Sequence, residues 1–241
     1  MTGERMSPTP AARLTADAHA VDNGLQAWID GSRPLSSAVV AAIAAMCDRS
    51  EERGHVGAVT VRVCGAPDEP LTQDLTVALV NKWELALRRL ERLPAVTVAV
   101  ADGDCGGLAL DALLATDYRI ATTAVRLLMP VSASGATWPG MALYRLARQA
   151  GESATRRFAL FGTPIEAGEA LAMRLIDELT DDLPTSLAAA LRAAASLPGR
   201  ELAIRRQLMM DATTVSFEDA LGAHLAACDR ALRWATADAA R

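Results

Sequence analysis

Apolar positions in the first half of the chain follow two periods in turn. In "GAVTVRV", Val59, Val61 and Val63 alternate with small or polar residues, the two-residue period of a strand. "AVTVAV" repeats it with Val96, Val98 and Val100. Ahead of both, "SSAVVAAIAAMCDRSEER" spaces Val39, Ile43 and Met46 along one helix face and ends in charge. Between the two strands, "DLTVALVNKWELALRRLER" sets Leu75, Leu79, Trp83, Leu87 and Leu90 at helical spacing. Leu93-Pro94 stops that helix, because a residue before proline avoids the α region.

The second half turns helical. "DYRIATTAVRLLMP" reads as one or two short strands, and "VSASGATWPG" as a small-residue loop. "MALYRLARQAG" predicts a short helix closed by Gly151, "ESATRRFALFG" a second, and "TPIEAGEALAMRL" a third started by Thr163 and Pro164. "SLAAALRAAASLPG", "RELAIRRQLMMD" and "SFEDALGAHLAACDRALRWA" complete the run, the last with a capping box at Ser216 and Asp219. Helix–strand units first and helices last predict an α/β core with a helical C-terminal subdomain. The expected boundaries are a flexible tail over residues 1–13, a core over 14–180 and the helical subdomain over 181–241.

Composition narrows the class. The chain's 241 residues suffice for one sizeable core, and 51% hydrophobic with 4% aromatic residues suits a helix-rich globular protein. A net charge of −5 offers no basic footprint for nucleic acid, and no apolar run reaches a membrane span. "MTGERMSPTPAAR" has neither apolar centre nor cleavage pattern, so a cytoplasmic location is expected. Cys47, Cys64, Cys105 and Cys228 are far apart and read as reduced thiols; His19, His55 and His224 are equally scattered, so no metal site is expected.

The informative stretch is "DGDCGGLALDALLATD", residues 102–117. A helix that follows a strand directly aims its first N–H groups beyond the strand end, where they favour negative charge. Gly106 and Gly107 lack the Cβ atoms that would hold a ligand off that backbone, and Asp111 falls in the helix's first turn. These features suit an anion or a developing oxyanion. They equally describe a tight strand-to-helix turn, with Asp111 as a first-turn acid favouring the helix dipole. No Lys-Ser/Thr follows and no G-x-G-x-x-G occurs, so nucleotide-loop readings fail.

The order of segments decides between them. From "LPAVTVAVADGDCGGLALDALLATDYRIA" to "TPIEAGEALAMRLIDEL", residues 93–179, the chain resembles the enoyl-CoA hydratase/isomerase (crotonase) family. The resemblance implies a ββα superhelical core, helices over 184–236 that form a homotrimer or hexamer, and an acyl-CoA thioester substrate. No cofactor is implied beyond the coenzyme A of the substrate. Two backbone N–H groups would hold the thioester oxygen, at Leu108 and near Gln73. Of the two glutamates that handle water in such hydratases, one falls at Asp111 and the other at Val131, directly after Met129-Pro130. The two-carboxylate hydration machinery is thus incomplete.

Asp104 is the best substitute, although capping or solvating the turn suits it as well; Cys105 and Ser134 are weaker ones. Gly106, Gly107, Val131, Trp138, Pro139 and Gly140 complete the expected substrate-binding set. Trp83 reads as core and Asp117 as structural, and Arg88, Arg89, Arg205 and Arg206 read as solvated helix charges. The short middle loop, "DGDCGG" and "WPG" resemble the small crotonase-like dehydratases of dihydroxyphenylacetyl-CoA biosynthesis in glycopeptide-antibiotic producers. That implies loss of water from a polyketide-derived thioester, beside a polyketide synthase and a second crotonase-like enzyme. Two alternatives stay open: a catalytically reduced homologue that assists such a partner, and a single-carboxylate enoyl-CoA isomerase.

Overall fold

The valine alternations become neighbouring parallel strands. In the computed structural model, which describes residues 25–53, 57–68, 74–129, 140–197 and 199–239, β1 (Gln26–Asp30), α1 (Ser37–Glu52), β2 (Ala58–Gly65), α2 (Val77–Leu90), β3 (Val96–Gly106), α3 (Leu108–Leu114) and β4 (Tyr118–Ala121) alternate along the chain. Then come β5 (Arg126–Leu128), α4 (Ala142–Ala150), α5 (Glu152–Phe161), β6 (Ile165–Glu166), α6 (Ala167–Ala172) and β7 (Glu178–Leu179). Three helices follow, α7 (Leu183–Ala195), α8 (Gly199–Asp211) and α9 (Phe217–Ala239). Among the described residues the sheet order is β1-β2-β3-β4-β7; β5 joins β3 in parallel, and β6 joins β5 antiparallel.

β3 is longer than its valine run. Val98–Ala101 pairs with β4, while Asp104–Gly106 pairs with β5 after a register shift at Val63/Gly65 and a positive φ of 65° at Gly103. One strand therefore serves two pairings in succession, which carries the chain around a corner and gives the ββα superhelix its turn. Three expectations need correction. β1 was not foreseen, because only Ala27 and Ile29 of QAWID are buried. Thr163 and Pro164 do not start a helix: Ile165 and Glu166 are captured by β5 first, and α6 begins at Ala167. α7 starts at Leu183 rather than at Ser186, since Asp182 caps it by accepting the Thr185 N–H at 3.1 Å.

The main core lies between the sheet and α1, α2 and α3, where Ile43, Met46, Trp83, Leu87 and Leu90 are fully buried. A smaller cluster on the opposite face packs Leu187 of α7 against Val98, Val100 and Ile120. The Ser216–Asp219 capping box forms, with the Asp219 N–H donating to Ser216 Oγ at 3.2 Å. No described helix is long and apolar enough to cross a membrane.

Candidate active site

The candidate centre sits at the C-terminal edge of the parallel strands, where ligands of open α/β sheets usually lie. Three chain segments cross there so closely that side chains do not fit. A Cβ on Gly31 would overlap the carbonyl oxygens of Gly65 and Gly106 and lie 2.8 Å from the Ala109 Cβ. A Cβ on Gly106 would lie 2.8 Å from both the Ala66 Cβ and the Leu128 carbonyl oxygen. Gly107 takes φ 53° and caps α3 without a side-chain hydrogen bond. The glycine pair thus has a packing reason of its own: its missing Cβ atoms make room for the Ala66–Pro67 segment and the end of β5.

α3 then starts at once. Leu108 is its first residue and nearly fully buried, and the Asp111 N–H donates to the Gly107 carbonyl at 3.1 Å. That bond turns the chain so that Asp111 points into the core, with 0% exposure. Its Oδ2 accepts a hydrogen bond from the indole Nε1 of Trp83 at 3.3 Å. Trp83, itself fully buried on the inner face of α2, is thus more than the core residue its helical spacing suggests. The signal was present in the apolar stripe of α2, but a contact across 28 residues cannot be read from periodicity.

Asp104 lies in the β3–β5 ladder opposite Arg126, and the two side chains pair in a fork: Arg126 Nε donates to Oδ1 at 2.8 Å and Nη2 to Oδ2 at 2.9 Å. The alternative weighed against catalysis is capping or solvating the turn; the structure instead shows an exposed ion pair with Arg126. Cys105 is fully buried, and desolvation pushes its thiol far above the usual range, so it stays protonated. All four cysteines are free, and the described residues hold no cluster of metal-binding side chains. Gly140 lies just ahead of α4. Gln73, Val131, Ser134, Trp138 and Pro139 fall outside the described residues. A groove of about 430 Å³ runs between the first turns of α1 and α2, lined by Ser37, Val40, Thr76 and Leu79 and edged by Lys82.

Below the sheet the charges behave differently from expectation. Arg206 is buried rather than solvated: it donates from Nε to Asp117 Oδ1 at 3.0 Å, from Nη2 to Asp117 Oδ2 at 2.5 Å, and also to the Leu93 and Ala95 carbonyls. Asp117 further accepts the Thr97 N–H at 2.8 Å and the Thr97 hydroxyl at 2.9 Å, which ties α8 to the start of β3. Arg88 pairs with Glu91, and Arg89 with Asp48 and Glu51. Arg205 pairs with Glu201 in solvent.

Comparison with known proteins settles the ancestry of this arrangement. Residues 73–238 match the family model described as enoyl-CoA hydratase/isomerase. The chain belongs to the enoyl-CoA hydratase/isomerase family. Among its relatives is a protein of Amycolatopsis orientalis called an enoyl-CoA-hydratase, 55% identical over 206 residues that span 85% of this chain and 94% of the relative. Among solved structures, an enoyl-CoA hydratase/isomerase from Marinobacter aquaeolei superposes with a TM-score of 0.75 at 17% identity, covering 88% of this chain and 89% of that one. An enoyl-CoA hydratase from Shewanella pealeana gives 0.73 at 16% identity, over 86% and 84% of the two chains. At such identities these two establish the crotonase fold, and the family member's chemistry rests on its own residues.

Proposed function

We propose that the protein is an acyl-CoA dehydratase or hydratase-type lyase that forms a thioester enolate. The observation that carries this reading is a buried carboxylate, Asp111, in the first turn of the helix that follows the glycine pair, held by the Trp83 indole. Asp111 would act as the base that takes the α-proton. The Leu108 N–H and one from the loop near Gln73 would hold the thioester oxygen as it gains charge; removing such a donor typically costs ~3 kcal/mol of barrier. The groove lined by Ser37 and Thr76 and edged by Lys82 suits the coenzyme A end of the substrate.

Loss of a β-hydroxyl also needs a proton for the leaving group, and the family's second carboxylate is replaced by Val131. An aromatic product lowers that demand, since its stability drives the elimination, and the same base can then carry the proton across. This favours a cyclised, polyketide-derived CoA thioester of the dihydroxyphenylacetyl-CoA type, within antibiotic biosynthesis in the cytoplasm. The apolar residues that α9 exposes, Phe217, Leu221 and Leu225 among them, suit association of copies into a trimer or hexamer.

A second reading is favoured by two observations, Val131 and the complete burial of Asp111. In it the chain is a catalytically reduced homologue that binds a partner polyketide synthase or second dehydratase. A third is a single-carboxylate isomerase that moves a double bond without water. Incubating the chain alone with a panel of hydroxyacyl- and enoyl-CoA thioesters, then adding the partner enzymes, separates them. Water loss by the chain alone supports the first reading. Stimulation of a partner that survives Asp111→Asn supports the second, and double-bond migration without water exchange the third.

A further inference from the structure

A cavity of about 670 Å³ lies away from Asp111, at the opposite edge of the sheet. It lies between the C-terminal ends of α2 and α3, the outer face of α4 and the end of α8, below the residues that lead into β3, β4 and β7. Its volume is that of a small-molecule site, but such sites are mostly apolar and this one is not. Seven arginines and four carboxylates line it, an excess of three positive charges.

Most of that excess is not absorbed by ion pairs. Arg206 is engaged by Asp117, Arg88 by Glu91, and Arg145 by both Glu91 and Glu84. Arg92, Arg119, Arg148 and Arg174 have no ion pair with a carboxylate among the described residues. Arg119 spends its two terminal nitrogens on the Leu114, Thr116 and Leu175 carbonyls, and burial draws it down to about 10. Arg148 donates to the Tyr144 hydroxyl at 3.0 Å and to Thr213 Oγ1. Arg174 is exposed and held at φ 59° at the turn into β7.

A second observation points the same way. Two of the three buried arginines in its wall each keep one N–H without an acceptor among the described residues, Arg119 Nε and Arg145 Nη1. Arg145 does so although its Nε donates to Glu91 at 2.7 Å and its Nη2 lies 2.8 Å from Glu84. Buried guanidinium N–H groups left unbonded are costly, and both belong to arginines of the cavity wall.

We propose that this cavity binds a small phosphorylated ligand at a site separate from the thioester centre. A carboxylate brings one negative charge against an excess of three, whereas a phosphomonoester brings about two and three acceptor oxygens. Phosphate also matches the guanidinium fork in two-pronged geometry, which a lone ammonium does not. Arg148 and Arg174 supply the solvent-side clamp.

The test is calorimetric titration of inorganic pyrophosphate into the full chain, with and without saturating coenzyme A, for wild type and for Arg148→Ala/Arg174→Ala. Both arginines are exposed, and circular dichroism checks that the double variant is folded. The proposal expects one saturable site per chain that coenzyme A does not displace and that the double variant weakens at least tenfold. Arg126→Ala, an exposed arginine at the other edge of the sheet, should bind as wild type does. Absence of saturable binding overturns it, as does binding indifferent to Arg148 and Arg174. Binding that coenzyme A displaces also overturns it, because the anion then occupies the thioester site.

Discussion

Two aspartates six residues apart, one inside α3 and one just ahead of β4, have different surroundings. Asp117 is gripped by a guanidinium and by the backbone and hydroxyl of Thr97. Asp111 is fully buried in α3, and its Oδ2 accepts a hydrogen bond from the Trp83 indole. A carboxylate paired with a buried arginine holds two elements together, and its charge is neutralised at home. Asp117 ties α8 to the sheet, and Asp111 lies beside the glycine crossing, where the proposed reaction needs its base. The proposed chemistry and the architecture thus fall to two aspartates on one short stretch of chain.

That division can be broken at either aspartate. The largest effect is expected on reaction rate: Asp111→Asn should lower α-proton exchange of an acyl-CoA by 10²-fold or more, the usual worth of a positioned base, while the protein stays folded. Next comes Asp117→Ala. It strands the Arg206 guanidinium in the core and should cost roughly 3 kcal/mol in urea unfolding, with exchange per folded molecule unchanged. A marked loss of exchange in that variant would mean that the two aspartates are coupled.

Gly31→Ala forces a Cβ onto the Gly65 and Gly106 carbonyls, so the crossing must spread. It should destabilise by about 1–3 kcal/mol and also slow exchange, because Gly106 leads into α3. Trp83→Phe removes the indole donor to Asp111. It should reduce exchange about tenfold, the value of roughly one hydrogen bond to a charged group. Equal rates in Trp83→Phe and wild type would leave Trp83 as packing alone. The smallest effect belongs to Arg126→Ala, which opens the solvent-side fork with Asp104. A cost under ~1 kcal/mol is expected by thermal unfolding, since both side chains are well exposed.

Much of this was legible in the chain. The valine alternations gave β2 and the first half of β3, and the leucine spacing gave α2, because one buried face imposes its period on the residues. Gly106, Gly107 and Asp111 stood out as a strand-to-helix turn with a carboxylate behind it. Three features were hidden for physical reasons. The second half of β3 is polar and glycine-rich, and only its partner β5 makes it a strand. Arg206 looks like any helix charge until the Leu93 and Ala95 carbonyls and Asp117 are brought to it from more than 80 residues away. Trp83 carries a polar atom inside an apolar stripe, and which carboxylate it meets is a matter of tertiary packing.

The most direct test compares Asp111→Asn and Asp117→Asn side by side, measuring deuterium uptake at the α-carbon of an acyl-CoA panel by NMR, per mole of folded protein. Loss of exchange in Asp111→Asn with wild-type exchange in Asp117→Asn is the predicted result. Wild-type exchange in Asp111→Asn would contradict the account, and would move the base to another group.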